Sequence, residues 1–312
     1  MESTGFGPAE EAEADQLVRL ALAEDLPGPD VTSEALIPPG ARARGAFVPR
    51  GPGVVCGLPV VVKVFSALDA RISARALVSD GREVEAGDRL LELDGPARGI
   101  LAGERTALNF IQRLSGIATR TRRFRELLAG AGVELFDTRK TLPGWRHLEK
   151  YAVRAGGGTN HRLSLSDQAL IKDNHVRILR ALGGGGPREW VAALRQRFPG
   201  IPVELEVESI EELREALESG ADVILLDNMS CEEMAAASRE ARRLTGPRPA
   251  LEASGGIGPE RLQEVAASGV DRISVGALTH SAPALDIGFD DDRQLLGDPG
   301  GDIREHLLEE GR

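Results

Sequence analysis

Residues 137–175 hold a concentration of cationic side chains that could bind an anionic ligand. The stretch contains Arg139, Lys140, Arg146, Lys150, Arg154, His161, Arg162, Lys172 and His175. Few acidic residues lie among them, whereas the whole chain carries a formal net charge of −11. A local excess of positive charge attracts anions, and the glycine run 156–158 lets the backbone approach a ligand closely. The alternative is a solvated face whose cations pair with acidic residues elsewhere on the surface.

Lysine is rare in this chain, and its placement bears on the same stretch. Of the 38 basic residues only four are lysines, namely Lys63, Lys140, Lys150 and Lys172. A lysine ammonium is a compact point charge, whereas arginine offers a planar fork. The pattern therefore indicates positions between 140 and 172 that need a compact cation. Chance clustering of a rare residue explains it equally well.

Two carboxylates at the ends of neighbouring predicted strands, Glu206 and Asp227, could bind a divalent cation or the hydroxyls of a ribose. Neither has a histidine at the spacing of metal ligands, so a catalytic zinc site is not expected. Glu204, Glu206 and Glu208 alternate with other residues and should face the same side of one strand. The pattern alone does not choose among these three.

Two glycine-rich turns near the end of the chain are typical of phosphate sites. Ser254-Gly255-Gly256 precedes a helix that begins near Pro259, and Val275-Gly276-Ala277 follows the last predicted strand. Such turns present backbone N–H groups, and a helix N-terminus adds favourable dipoles. Barrel proteins commonly bind phosphate in their last two loops.

Short apolar runs alternate with helical patterns over the second half of the chain. The runs are 133–137, 168–173, 203–207, 223–227, 250–254 and 272–276, and helices are predicted over 210–220 and 259–269. Repeated strand–helix units imply parallel strands, because each crossover returns the chain to the same end of the sheet. We therefore predict a complete or partial (β/α) barrel, with the polar residues named above on the rim where the strands end.

The first part of the chain has a different pattern. A helix is predicted over 14–26, a small antiparallel sheet within 42–98, and a long amphipathic helix over 103–130. We predict an N-terminal domain over 1–115, joined by part of 278–312, and a barrel domain over 116–277. The sheet resembles lipoyl-type carrier domains, but Lys63 lies inside VVVKVF instead of on an exposed hairpin, which argues against a carrier. The glycine run 183–186 is predicted to be a surface loop, and the acidic tail after 290 has no assigned role.

Composition excludes several classes of protein. The chain has no run of 18 apolar residues for a membrane-spanning helix, and its first 15 residues are acidic, unlike a secretory signal. Two cysteines offer no disulfide framework. Net negative charge and an aromatic content of 4% argue against nucleic-acid binding. We therefore predict a cytoplasmic enzyme that binds neither nucleic acid nor membranes.

The motifs together resemble one known family, the quinolinate phosphoribosyltransferases. They are DTRKTLPGWR, EKYAV, GGGTNHR, LIKDNH, LLDN, ASGGI and SVGALTHSAPALDIGFD, in matching order between about residues 15 and 290. The resemblance implies an α/β fold of the type II phosphoribosyltransferase kind, with an N-terminal α/β sandwich-like domain and a C-terminal partial (β/α) barrel. It also implies a homodimer or higher homo-oligomer. The implied reaction converts quinolinate and phosphoribosyl pyrophosphate to nicotinate mononucleotide, pyrophosphate and CO2 with Mg2+, in NAD biosynthesis.

The same resemblance implies roles for individual residues. It assigns quinolinate to Arg139, His161, Arg162 and Lys172, with Arg105 contributed by the neighbouring subunit and Thr138 beside them. It assigns phosphoribosyl pyrophosphate to Lys140, Glu206, Asp227 and the turns Ser254-Gly255-Gly256 and Val275-Gly276-Ala277. Lys140, Lys172, Glu206 and Asp227 are the implied catalytic residues, and Glu206 and Asp227 would hold Mg2+ directly or through water or substrate. The resemblance thus selects Glu206 from its neighbours.

Three other hypotheses remain at this point. An enzyme of the same fold could phosphoribosylate a different acid, but a monocarboxylate needs fewer cations. A non-catalytic phosphate-binding barrel would leave Arg139, Lys172 and Glu206 without a joint purpose. Lys172 could form a Schiff base, which borohydride would trap as a covalent adduct; we expect no such adduct.

Overall fold

The computed structural model describes residues 5–292, which divide into two compact units. The first unit comprises the chain up to 122, residues 142–157 and the segment from 282 onward. The second unit comprises 123–141 and 158–281. Residues 142–157 thus belong with the first unit, although the sequence pattern assigns them to the barrel segment 116–277.

Helices of the first unit pack around its small sheets. They are α1 (Pro8–Asp25), α2 (Val31–Leu36), α3 (Leu58–Leu68), α4 (Ala97–Leu127), which extends into the second unit, and α5 (Arg146–Ala155). The α1 and α4 helices begin earlier than the predicted 14 and 103. The Glu13 carboxylate accepts hydrogen bonds from the first N–H groups of α5, at His147 and Leu148. These bonds attach 142–157 to the first unit.

Helix α3 lies within 42–98, where the sequence pattern predicts a small antiparallel sheet and no helix. Gly57 precedes the helix with a φ of 104°, and the Asp80 carboxylate accepts from the N–H groups of Gly57 and Leu58. Capping of the free N–H groups together with burial of Val61 and Phe65 outweighs the local preference for strand.

The sheets of the first unit are antiparallel. In the described part, β1 (Arg42–Pro49), β3 (Ser73–Ala76), β5 (Leu91–Pro96) and β12 (Ile287–Asp291) form a sheet in the order β12-β1-β5-β3. A second pair joins β2 (Gly53–Val54) and β4 (Glu83–Val84). Phe47 on β1 lies opposite Leu91 on one side and Phe289 on the other, and it packs in the core against Phe65.

The second unit is an open barrel of parallel strands. Its strands are β6 (Glu134–Phe136), β7 (Ala169–Ile171), β8 (Val203–Val207), β9 (Val223–Asp227), β10 (Ala250–Ser254) and β11 (Arg272–Ser274). Its helices are α6 (Asp173–Ala181), α7 (Pro187–Arg197), α8 (Ile210–Leu217), α9 (Cys231–Ala241), α10 (Pro259–Ala267) and α11 (Ala277–His280).

Strand order identifies this unit as a partial barrel. Within residues 5–292 the six strands run in the order β6-β11-β10-β9-β8-β7, and every pair is parallel. Each strand thus lies beside its neighbour in the chain, except that β6 and β7, the two edges, do not pair. The predicted fold class, a small α/β domain followed by a partial barrel, is confirmed.

Predicted element positions agree best where strands are buried on both faces. The strands at 203–207, 223–227 and 250–254 have the predicted bounds. The glycine run 183–186 is a loop between α6 and α7, and Gly184 O accepts a hydrogen bond from Trp190 Nε1. Most of the acidic tail, from 293 onward, lies outside the described residues.

Among the described residues, no helix is long and apolar enough to cross a membrane. The cytoplasmic location stays a prediction.

Candidate active site

The carboxyl ends of the barrel strands surround a cavity of about 370 Å3 in the second unit. We call it the rim cavity. It is lined by Thr138, Arg139, Lys140, His161, Arg162, Leu170, Lys172, Glu206, Leu225, Asp227, Asn228, Glu252, Ser254, Gly255, Gly256 and Ser274. The structure therefore brings together residues that are up to 136 positions apart in the sequence, counted from Thr138 to Ser274.

Two arginines form the most cationic part of this cavity. Burial and the neighbouring charge of Arg139 both lower the pKa of the Arg162 guanidinium. Neither arginine has a carboxylate within 4 Å in the described part of the chain, and the buried Nε of Arg139 has no hydrogen-bond partner there. Like charges held together in a half-buried place without a counter-ion favour an anionic ligand.

The loop that carries Arg162 is attached to the end of β6 by Asp137, which is fully buried. The Asp137 carboxylate accepts from the His161 N–H at 2.8 Å and from Asn160 Nδ2 at 2.6 Å. This places the GGGTNHR motif beside DTRK, although 15 residues separate them in the sequence.

Lys140 extends along the turn after β11. Its carbonyl accepts a hydrogen bond from the Thr279 hydroxyl at 2.9 Å, and its own N–H donates to Thr138 Oγ1. A Cβ atom on Gly276 would lie 2.8 Å from Lys140 Cδ. Gly276 thus leaves the space that the Lys140 side chain occupies.

Lys172, Glu206 and Asp227 bring charges of both signs to the rim cavity. The Lys172 Nζ atom lies 3.9 Å from Glu206 Oε2, and Glu206 Oε1 accepts from the Asp173 N–H at 3.3 Å. Burial raises the pKa of Glu206, and the nearby charge of Asp227 adds to this rise. Two carboxylates that line one cavity can bind a cation.

The turn after β10 has a backbone that few residues other than glycine adopt. Gly255 has a φ of 97° and Gly256 a φ of 56°. A Cβ on Gly255 would lie 2.7 Å from the backbone N of Asn228 and closer still to its side chain. Glycine is therefore required where this turn meets the end of β9.

A buried cluster of charged groups lies at the inner end of the cavity, and the sequence pattern did not single it out. His161 Nε2 lies 3.1 Å from Glu204 Oε2 and 3.4 Å from Glu252 Oε1, and Arg272 Nε lies 2.8 Å from Glu252 Oε2. Glu204 and Glu252 are completely buried. One ligand atom from each of His161, Glu204 and Glu252 lies within 4.8 Å of the others, a spacing that would also suit a metal ion. The Arg272 cation, however, already balances the Glu252 carboxylate.

The contacts of this cluster indicate which nitrogen of the His161 ring carries its proton. Burial opposes protonation of His161, but the hydrogen bonds and charges of Glu204 and Glu252 outweigh it and raise the pKa of His161. The Arg162 N–H donates to His161 Nδ1 at 2.8 Å, which requires that this nitrogen be unprotonated. We therefore assign the ring proton to Nε2, which faces the Glu204 and Glu252 carboxylates.

Some predicted site residues lie away from the rim cavity. Arg105 belongs to the first unit, where it is exposed on α4 and lines a separate cavity of about 250 Å3 with Asn109 and Trp145. In the turn Val275-Gly276-Ala277, Gly276 contacts Lys140 as described, but none of the three residues lines the rim cavity.

The lining residues that the sequence pattern missed are Leu170, Leu225, Glu252 and Ser274. Of these, Glu252 would have been the easiest to find from the sequence, because in ALEAS it is an acidic residue inside an apolar strand. Its pairing position opposite Arg272 on β11 was not visible without the register.

Comparisons with known proteins agree over nearly the whole chain. Residues 30–115 match the quinolinate phosphoribosyl transferase N-terminal domain, and residues 117–290 match the C-terminal domain. The chain belongs to the quinolinate phosphoribosyltransferase family. This assignment confirms the resemblance that the motifs carry.

Individual relatives of this quinolinate phosphoribosyltransferase family member support the assignment. The nicotinate-nucleotide pyrophosphorylase [carboxylating] of Mycobacterium leprae is 44% identical over 276 residues, which cover 88% of this chain and 95% of that protein. A probable enzyme of the same name from Bacillus subtilis is 41% identical over 268 residues, covering 86% of this chain and 89% of that protein. The structure of the nicotinate-nucleotide pyrophosphorylase from Francisella tularensis superposes with a TM-score of 0.86 at 38% identity, covering 94% of this chain and all of that one.

Proposed function

We propose that this chain converts quinolinate and phosphoribosyl pyrophosphate to nicotinate mononucleotide, pyrophosphate and CO2, and that the rim cavity is its active site. The family assignment supports the reaction. The observation that supports the site is the pair Arg139 and Arg162, two guanidiniums without a carboxylate partner among the described residues. Quinolinate carries two adjacent carboxylates, and a guanidinium fork binds a carboxylate through two parallel hydrogen bonds.

Recognition of the pyridine acid uses the cationic part of the cavity. Arg139 and Arg162 bind the carboxylates, and the Lys172 ammonium, half-exposed at the rim, adds a third positive charge. Thr138 lines the same part. His161 does not bind the substrate directly in this proposal, because both of its ring nitrogens already contact protein groups.

Phosphoribosyl pyrophosphate occupies the other part of the rim cavity in this proposal. The turn Ser254-Gly255-Gly256 and the N-terminus of α10 offer N–H groups to a phosphate, and Lys140 offers an ammonium. Glu206 and Asp227 accept hydrogen bonds from the ribose hydroxyls. The turn Val275-Gly276-Ala277 acts mainly through the position of Lys140.

Mg2+ fits the carboxylate pair Glu206 and Asp227. Their oxygens are the ligand type that Mg2+ prefers. Burial, with a smaller contribution from the charge of Asp227, raises the pKa of Glu206, and a bound cation would oppose this rise. When bound, the ion would neutralise the pyrophosphate group. Lys172 would then exchange its contact with Glu206 for the substrate.

Chemistry in this site depends on positioning and electrostatics. The pyridine nitrogen forms a bond to the ribose carbon as the bond to pyrophosphate breaks, and the leaving oxygen keeps the electron pair. The sugar becomes cationic, which the carboxylates of Glu206 and Asp227 stabilise, while Lys140 stabilises the leaving group. CO2 then departs from the carbon beside the new N+, which stabilises the remaining electron pair until a proton arrives. No covalent enzyme intermediate is needed.

Arg105 enters the proposal through a neighbouring subunit. It is exposed in the first unit and has no ion-pair partner within 4 Å among residues 5–292. We propose a homodimer or higher homo-oligomer in which Arg105 reaches the rim cavity of the neighbouring subunit.

One assay tests the proposed reaction. The purified protein, Mg2+ and phosphoribosyl pyrophosphate are incubated with quinolinate or with nicotinate, and CO2 and mononucleotide are quantified. We expect equal amounts of both products from quinolinate and no mononucleotide from nicotinate. Turnover with nicotinate alone would overturn the proposal in favour of a related enzyme for a monocarboxylate.

A further inference from the structure

Four residues at the inner end of the rim cavity form a closed ring of contacts. Glu204 Oε2 accepts from Gln168 Nε2 at 2.6 Å and lies 3.1 Å from His161 Nε2. His161 Nδ1 accepts from the Arg162 N–H at 2.8 Å, and Arg162 Nη1 donates to the Gln168 carbonyl at 3.0 Å. The ring thus returns to the residue where it began, and Arg162 is held at two points of it.

This closed ring of contacts connects an irregular segment to the rigid sheet. Arg162 and His161 lie in the loop between α5 and β7, which has no regular secondary structure of its own. Glu204, in contrast, lies on β8 and is completely buried. A binding side chain on a loop is positioned only as well as the groups that support it.

A second strand supports the same histidine. Glu252 on β10 lies 3.4 Å from His161 Nε2, and Arg272 on β11 lies 2.8 Å from Glu252. A buried carboxylate is costly unless it is paired. The pairs therefore fix the plane of the His161 ring, and with it the direction in which Nδ1 meets the Arg162 amide.

Both nitrogens of His161 are occupied by these contacts, so the ring offers none to a ligand in the cavity. Asp137 anchors the His161 amide separately, through its carboxylate. The His161 imidazole thus acts on Arg162, whose backbone N–H it binds through Nδ1.

We propose that Gln168, Glu204 and Glu252 are positioning residues that hold the Arg162 guanidinium in the rim cavity through His161. The inference rests on the proposed function, because it takes Arg162 as a ligand of one quinolinate carboxylate. It adds three residues to the site, and two of them, Gln168 and Glu204, do not line the cavity.

The variant Gln168→Leu tests the ring of contacts, because it removes the Nε2 donor to Glu204 without changing the charge of the site. The Gln168 carbonyl, which Arg162 also uses, stays in place. We expect the KM for quinolinate to rise about tenfold, the value of one hydrogen bond to a charged group, while the KM for phosphoribosyl pyrophosphate and kcat change less than about twofold. Gln263→Leu, at an exposed glutamine of α10 in the same unit, is the matched control and should change nothing.

An exchange of partners separates positioning from folding. Gln168→Glu alone brings two carboxylates together and should raise the quinolinate KM more than Gln168→Leu does. In the double variant Gln168→Glu/Glu204→Gln, the amide of residue 204 can accept from His161 and donate to residue 168, so the ring closes again. We expect recovery of the quinolinate KM to within about threefold of the wild type.

Nitrogen NMR of the His161 ring gives a readout independent of turnover. We expect a protonated Nε2 and an unprotonated Nδ1 in the wild type at neutral pH. A ring protonated at both nitrogens would remove the link to Arg162 and overturn the inference. An unchanged quinolinate KM in Gln168→Leu would overturn it as well, whereas a wild-type protein that does not use quinolinate would overturn the proposed function instead.

Discussion

Single residues in this site act through the space that they leave as well as through the groups that they offer. Gly276 has a φ of −64°, which any residue can adopt, so its backbone does not require glycine. The Lys140 side chain lies over it, with Cδ at 2.8 Å from a Cβ built on Gly276. Gly276 is therefore part of the binding machinery although it carries no functional group.

Gly276→Ala should displace Lys140 without unfolding the protein. The flexible lysine can move away from the added methyl group, whereas the backbone needs no change. We expect kcat/KM for phosphoribosyl pyrophosphate to fall by about tenfold or more, since one charge-assisted contact is lost. Steady-state kinetics and a thermal melt together check this.

Gly186→Ala is the matched control for this variant. A Cβ there would lie 3.4 Å from its nearest neighbour, an ordinary contact, and the residue is remote from the rim cavity. Normal kinetics in Gly276→Ala, or a strongly lowered melting temperature, would contradict the account of Lys140.

Lys172 tests whether the site uses covalent chemistry. It lies 3.9 Å from Glu206 as an ammonium, and the proposed mechanism requires only its charge. Borohydride added during turnover should therefore leave the mass of the protein unchanged. A reduced adduct on Lys172, absent from Lys172→Arg, would show a Schiff base instead.

At the scale of elements, the sequence allows the strand ends to be predicted but not the contacts beneath them. Asp137, Lys172, Glu206 and Asp227 follow apolar runs, and parallel strands bring such ends to one rim. The pairing of Glu252 with Arg272 depends on the register of β10 and β11, which no local pattern reveals. Helix α3 was missed because Asp80, 22 positions after Leu58, caps it.

The segment 142–157 is attached to α4 by a buried ion pair within the first unit. Glu149 is completely buried, and its Oε1 accepts from Arg113 Nη2 at 2.7 Å and from Nε at 3.1 Å. Removal of Glu149 takes the only carboxylate of this pair away from the largely buried Arg113 guanidinium, whose Nη1 still donates to the Ala282 carbonyl. Glu149→Ala should therefore lower the free energy of unfolding by about 3–5 kcal/mol.

Urea unfolding followed by Trp145 fluorescence in a Trp190→Phe background measures this change in the first unit. Asp15→Ala, which breaks the more exposed pair with Lys63, serves as the control and should cost less than about 1 kcal/mol. Equal effects of the two substitutions would mean that the Glu149 pair does not anchor the segment.

At the scale of the whole molecule, the proposed active site needs a second subunit to supply Arg105. Arg105 does not line the rim cavity, and the resemblance to the family assigns it to the cavity of a neighbouring chain. Neither the oligomeric state nor that role could be predicted from periodicity, since an exposed arginine on a helix is ordinary. Only the resemblance to the family suggested it.

Subunit mixing tests this arrangement. Arg105→Ala and Lys172→Ala should each be inactive alone, because each lacks a cation of every site. In a heterodimer one site receives both defects and the other receives none, so about half of the wild-type activity per dimer should return. Absence of recovery in heterodimers verified by mass would contradict a role across the subunit interface.

Equilibrium binding of quinolinate and nicotinate, measured by calorimetry on the wild type and on Arg139→Gln, tests the central claim most directly. If paired guanidiniums hold two carboxylates, quinolinate should bind the wild type about 10–100-fold more tightly than nicotinate, and Arg139→Gln should lose most of that preference. Equal affinities for both acids in the wild type would contradict the claim.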